Sequence, residues 1–177
     1  ATRKTEMRDC IKTAVGRFLD DFDPRKSKPT LTKALRETLK DVARALAKAR
    51  SAVARDSYSK EITFPVHQTE LPTRLCEQLS MWCLGMVSLG LDEQAVDQIA
   101  RRFLVENIPY TRSRVIRAVQ QSIKDGVDPD EKNVADHAKM SRSYVRRILE
   151  ELEMLGVLAE NGRNYEIADN VIEEAFA

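Results

Sequence analysis

The chain has 177 residues, 29 Lys and Arg against 28 Asp and Glu, and 42% hydrophobic residues, the balance of a globular protein with one domain or two small ones. No apolar run approaches the ~18 residues of a membrane span, and the opening ATRKTEMRDC lacks the apolar core of a signal peptide, so a cytoplasmic protein with no membrane partner is expected. Three cysteines, an odd number without metal-ligand spacing, spell out no disulfide framework and are expected to be reduced and buried.

Charge is unevenly spread. Residues 1–60 hold 16 basic against 8 acidic residues, and residues 61–177 hold 13 against 20. Six glycines and six prolines interrupt the chain, and apolar residues recur at three- and four-residue spacing, which predicts a mainly helical fold. Met7, Cys10, Ile11, Ala14, Val15 and Phe18 trace a first stripe that ends before DFDPRKSKP. Leu31, Leu35, Leu39, Val42, Leu46 and Val53 trace a second, with Lys and Arg on the other face, the pattern of a solvated surface.

DSYSKEITFPVHQTELP then loses the helical period. Pro72 suits the first position of the next helix, which carries Leu75, Leu79, Trp82, Cys83, Met86 and Val87 to Gly90. Asp92 is expected to cap a helix with Val96, Ile99, Phe103 and Leu104 inward, ending at Pro109. Thr111 is expected to cap the one after it, which carries Val115, Ile116, Val119 and Ile123 and stops at Gly126.

From Asp130 the pattern shortens. DEKNVADHAK predicts a brief helix, Met140 sits in a tight turn, and Ser141 is placed to cap a helix with Val145, Ile148, Leu149 and Leu152 inward, ended by Gly156. VLAE, NGR and NYEIA read as two strands joined by an Asn-Gly turn. Helix, helix, turn, helix and hairpin, with VADHAKMSRSYVRRILEELEMLGVL inside it, resemble a winged helix-turn-helix over residues 112–169.

In such a module the N-terminal half of the second helix of the turn faces the major groove of DNA. The resemblance therefore makes Ser141, Arg142, Ser143, Tyr144, Arg146 and Arg147 the candidate DNA contacts, with Arg163 at the hairpin tip reaching a neighbouring phosphate or the minor groove. Glu150, Glu151 and Glu153 fall on the other half, where pairs from Arg146 to Glu150 and from Arg147 to Glu151 are expected. Residues 113–169 hold 9 basic and 11 acidic residues, so the module is not basic as a whole, and protein docking is the competing use of it.

The block TELPTRLCEQLSMWCLGMVSLGLDEQAVDQIARRFLVENIP resembles the small helical lid that follows the nucleotide-binding core in AAA+ ATPases, especially those related to minichromosome-maintenance helicases. In that resemblance Arg74 matches the sensor 2 arginine, which contacts the terminal phosphates of the nucleotide, and residues 31–55 occupy the place of the leading lid helix. The chain has no G-x-x-x-x-G-K-S/T phosphate loop and no strand ending in paired acids, so it carries no cofactor site of its own. ATP and Mg²⁺ are expected only in a longer protein, and the chain alone is expected not to be an enzyme.

The sequence thus predicts a helical bundle resembling an AAA+ lid over residues 1–109 and a winged helix-turn-helix with a small β-hairpin over 110–177. The expected partners are double-stranded DNA, an AAA+ core in the same polypeptide, and further copies when the protein is intact. The alternative is a stand-alone transcriptional regulator, with residues 1–109 as a dimerisation or effector bundle. His67 and His137 are expected to be surface or packing residues, with no metal site.

Overall fold

The computed structural model describes residues 29–59, 61–63 and 71–177, with positions 5, 7–10, 12, 13, 15 and 16. The fold is mainly helical, with one small antiparallel hairpin near the C-terminus. No helix among the described residues is long and apolar enough to cross a membrane. Ile11, Ala14, Phe18, His67 and the DPRKS turn lie outside the described residues.

The described positions between 5 and 16 are helical, but their stripe faces outward. Met7 and Val15 are 65% and 50% exposed and Cys10 is exposed, which corrects the expectation of an inward stripe and of buried thiols. None of the three belongs to the core, so helical periodicity alone did not bring them an apolar surface to cover. Cys83 is buried and Cys76 half-buried on the next apolar helix, as their spacing implied.

The centre of the fold is α1 (Lys33–Arg50). Thr32 caps it by accepting the Leu35 N–H, and Leu35, Leu39, Val42 and Leu46 are buried as expected. Ala43, Ala45, Ala47 and Ala49 are buried too. Small side chains on the flanks of the stripe let several neighbours approach one helix, and α1 packs against α2 (Pro72–Ser88), α3 (Glu93–Asn107) and the last helix, α7 (Asn170–Phe176). Pro72 does occupy the first helical position of α2, and the Asp92 carboxylate caps α3 by accepting the Ala95 N–H at 2.7 Å. Trp82 of α2 lies against Phe103 of α3 with ring centroids 5.4 Å apart.

Helix α4 (Tyr110–Lys124) starts one residue earlier than its expected cap. Pro109 holds the cap position and no side chain bonds the first turn, so Thr111 is inside the helix. The fixed backbone of proline sets the entry, and the hydroxyl is not needed for it. Val115, Ile116 and Val119 are fully buried, whereas Ile123 is half exposed at the end of the helix. Helix α5 (Glu131–Ala138) is capped by Asp130, which accepts the Asn133 N–H at 2.8 Å, and α6 (Arg142–Met154) follows across a turn in which Lys139 takes a left-handed φ of 50°.

Strands β1 (Leu158–Asn161) and β2 (Asn164–Ile167) pair antiparallel with Asn161 opposite Asn164. The two turn residues are therefore Gly162 and Arg163, not Asn-Gly. Gly162 has φ +71° and Arg163 does not share it, which fits the hairpin turn that needs glycine first. Beyond the hairpin, Asp169 caps α7, an element that the periodicity did not announce because it is only seven residues long.

Helix α7 returns the chain to the first half of the molecule. Ile172 is fully buried, Asp169 pairs with Lys48 of α1 at 3.0 Å, and Glu174 pairs with Arg101 of α3 at 2.6 Å. The buried residues form one continuous cluster from Leu31 to Ile172, on both sides of residue 109. At the same junction the guanidinium of Arg112, 8% exposed, donates to the carbonyls of Ala49 and Ser51 at 2.8 and 2.7 Å and to Glu151 Oε2 at 3.1 Å. It supplies donors to carbonyls at the end of α1, which have no further helical turn to bond.

Replacing Arg112 with Met keeps the length of the side chain but strands two buried carbonyls and half of the Glu151 carboxylate. The expected loss is about 3 kcal/mol of unfolding free energy, against less than ~0.5 kcal/mol for Arg102→Ala on the surface, read from urea denaturation midpoints. Equal stability of the two variants would deny Arg112 its structural role.

Candidate nucleic-acid interface

The sequence-derived contact residues stand together on one face. Ser141, Arg142, Ser143, Tyr144, Arg146 and Arg147 are all exposed on the first two turns of α6, and Arg163 is exposed at the hairpin tip. Ser141 holds the cap position but its hydroxyl bonds no helix N–H, unlike the carboxylates of Asp92 and Asp130. The turn into α6 is closed by Lys139 N–H and Met140 N–H, which donate to the carbonyls of Asp136 and Ala135.

Two of the cations already have a partner. Glu131, in the first turn of α5, accepts from Arg142 Nε at 3.1 Å and lies 3.8 Å from Arg146 Nε, and Arg146 also donates to Glu150 at 3.1 Å. The Arg142 and Arg146 side chains remain about two thirds exposed, 66% and 64%. Pairs so exposed contribute little and exchange readily for another anion. Arg147 and Arg163 make no ion pair with any described residue.

The second half of α6 is different in kind. The expected pair from Arg147 to Glu151 is not formed, because Glu151 faces inward, where Arg55 Nε and Arg112 Nη2 reach it at 3.3 and 3.1 Å. Arg55 also donates to Glu150 at 3.1 Å and to the Arg147 carbonyl at 2.8 Å. The pair from Arg146 to Glu150 is present as expected. Glu153, exposed at the surface, lies outside this network; partial desolvation, then Glu160 and Glu150, hold its carboxyl above the usual range.

The hairpin is fixed to the segment ahead of α5. Tyr165 N–H donates to the Pro129 carbonyl at 3.1 Å, and Asn164 Nδ2 donates to Asp128 at 3.2 Å. Between hairpin and helices lies a cleft of about 310 Å³ lined by Asp130, Glu131, Arg142, Glu160, Arg163 and Tyr165. Burial and the neighbouring Glu160, Glu131, Glu153 and Glu150 push the Tyr165 hydroxyl up to about 12, so it stays protonated throughout the neutral range.

Arg74 stands apart from this face. It is the third residue of α2, exposed, and neither Glu77 nor any other described residue pairs with it, while Glu70 lies outside the described residues. Beside it a groove of about 630 Å³ runs between α1 and α2, lined among others by Lys40, Arg44, Pro72, Thr73 and Met81. His137 lies 3.8 Å from Asp125, and no group of three or more His, Cys, Asp or Glu among the described residues is arranged to hold a metal ion.

Arg55, Arg112 and Glu131 were missed by the reading of the sequence. Arg55 falls where the helical period is lost, Arg112 is one arginine among several, and the pairing of Glu131 with Arg142 crosses a turn that spacing rules do not span. For Glu153, a raised folded-state pKa means that its ionised form is disfavoured by folding, a penalty present at neutral pH and removed once the group is protonated. Glu153→Gln should therefore raise the thermal midpoint at pH 7, and the gain should vanish as pH falls below the ordinary range of a glutamate, about 4.3. A gain that persists at pH 3 would assign it to packing rather than charge.

Protein-family models, curated proteins and solved structures offer no match to this chain.

Proposed function

We propose that the chain is the DNA-binding, non-catalytic C-terminal region of an AAA+ ATPase that acts on nucleic acid. Helices α4, α5 and α6 with the hairpin β1–β2 form a winged helix-turn-helix, and α6 is its recognition helix. One observation carries the reading: the exposed half of α6 presents Arg142, Arg146 and Arg147 on a stretch that has no acid of its own, with Arg142 and Arg146 paired only through exposed contacts to Glu131 and Glu150, while Glu151 of the other half is turned inward onto Arg55 and Arg112. The cations are offered outward and the acid is spent on the fold. Phosphates would replace Glu131 as the partner of Arg142 and Arg146, and each would be worth more than an exposed carboxylate because counterions are released from the duplex.

The same reading makes α1, α2 and α3 the lid, and Arg74 the group offered to nucleotide. Support comes from its position in the first turn of α2 without an anionic partner among the described residues, where the helix dipole disfavours a cation and a phosphate would relieve it. Glu131 favours a second reading, in which a face of mixed sign docks another protein. The two differ in their response to salt and to loss of that acid.

Fluorescence anisotropy with duplex DNA at several salt concentrations tests the first reading. Arg142→Ala or Arg146→Ala should each lower the magnitude of the log–log salt slope by about one where the arginine meets a phosphate. Glu131→Gln should tighten binding about two- to fivefold, the worth of an exposed ion pair. No binding at low salt, or four equal affinities, would put protein docking in its place.

In the longer ATPase, Arg74→Ala should lower hydrolysis about a hundredfold or more by removing a charge from the developing phosphate. It should leave the unfolding free energy of the present chain within ~0.5 kcal/mol. Full ATPase activity in that variant would sever the link to nucleotide.

A further inference from the structure

Between α1 and α2 the described residues 54–59 and 61–63 form a small projection beside the proposed recognition helix. Asp56 N–H donates to the Glu61 carbonyl at 2.8 Å, Thr63 N–H donates to the Ala54 carbonyl at 2.9 Å, and Arg55 and Ile62 pair antiparallel. At its tip the Asp56 carboxylate accepts the N–H groups of Tyr58 and Ser59 at 2.8 and 2.7 Å. Those two bonds, that of Ser59 first, hold the Asp56 carboxyl below the usual range, so the turn keeps its anchor at neutral pH.

Arg55 fastens the projection to α6. Arg55 reaches the Arg147 carbonyl, Glu150 and Glu151, which is the point where the basic half of α6 meets the acidic half. The tip then borders a cleft of about 400 Å³ lined by Arg55, Ser59, Glu61, Ile62, Arg146 and Glu150. The hairpin β1–β2 borders the other cleft at Arg142, one helical turn away. The exposed face of α6 is thus flanked by two turns, Gly162–Arg163 next to Arg142 and Ser57–Ser59 next to Arg146.

Tyr58 is 95% exposed on that second turn. A tyrosine whose backbone turn is held by two hydrogen bonds and whose side chain contributes nothing to the core is available for an external contact, and tyrosine and serine hydroxyls are common donors to DNA phosphates. Resting on the assignment of α6 to DNA, we infer that the projection of residues 54–59 and 61–63 is a second DNA-backbone contact, in which the Tyr58 phenol donates to a phosphate next to the one met by Arg146. It positions the duplex and carries no sequence information.

The prediction has a signature that an arginine cannot imitate. Tyr58 has no charge and releases no counterion, so Tyr58→Phe should weaken duplex binding about tenfold, the worth of a hydrogen bond to a charged group, by the same factor at every salt concentration. Tyr58→Ala should behave alike, and both should lose affinity equally for duplexes of unrelated sequence. Arg146→Ala, measured beside them, should change the slope instead. Parent-like affinity in both Tyr58 variants, with Arg146→Ala still changing the slope, would overturn this inference and leave α6 as the DNA contact. Failure of the parent chain to bind any duplex at low salt would overturn both.

Discussion

The Glu151 carboxylate, shared between Arg55 and Arg112, joins three parts of the chain that are far apart in sequence. Arg112 carries the link to the carbonyls that end α1, and Arg55 carries it to the projection after α1. Desolvating three charges costs energy, and an apolar cluster of the same volume would be at least as stable. What the polar cluster specifies is orientation, because a guanidinium with five directed donors admits few arrangements of its acceptors. Glu151 adds to the buried stripe of Val145, Ile148, Leu149 and Leu152 in setting which face of α6 turns inward.

That constraint divides α6 into two halves of different charge. Residues Val145, Ile148, Leu149 and Leu152 bury the same stripe along the whole of α6, so hydrophobic packing does not distinguish its two halves. Charge does. Glu151 is consumed by the fold, Glu150 is shared between Arg55 and Arg146, and the arginines ahead of them face outward. In the proposed reading Glu131 is a placeholder for phosphate: it pairs with Arg142 and Arg146 while both side chains stay about two thirds exposed.

Much of the helical order was legible because burial follows a period of three to four residues. The stripe of α6, most of those of α1 and α4, Pro72 at the first position of α2 and the cap at Asp92 stand where they were read, whereas Val53 lies beyond the end of α1 and Ile123 is half exposed. The errors have local physical causes. Pro109 displaced Thr111 as the start of α4 because a fixed φ enters a helix without a hydroxyl cap. Asn161 belongs to a strand, since its pairing with Asn164 leaves Gly162 to absorb the positive φ. Lys139 takes a left-handed conformation usually left to glycine or asparagine, and no sequence rule marks it. The candidate contacts themselves were legible as a cluster on one helix, whereas Arg55, Arg112 and Glu131, which orient or neutralise them, depend on contacts across the fold.

The central claim is that α6 is divided into an outward binding half and an inward structural half. The direct measurement is a titration of ¹⁵N-labelled protein with duplex DNA, followed through backbone amide and arginine side-chain resonances. The expected result is movement of the signals of residues 141–147 and of Gly162 and Arg163, with the side-chain signals of Arg112 unmoved. Movement confined to α2 and α3, or loss of the Arg112 signals on addition of DNA, would contradict it.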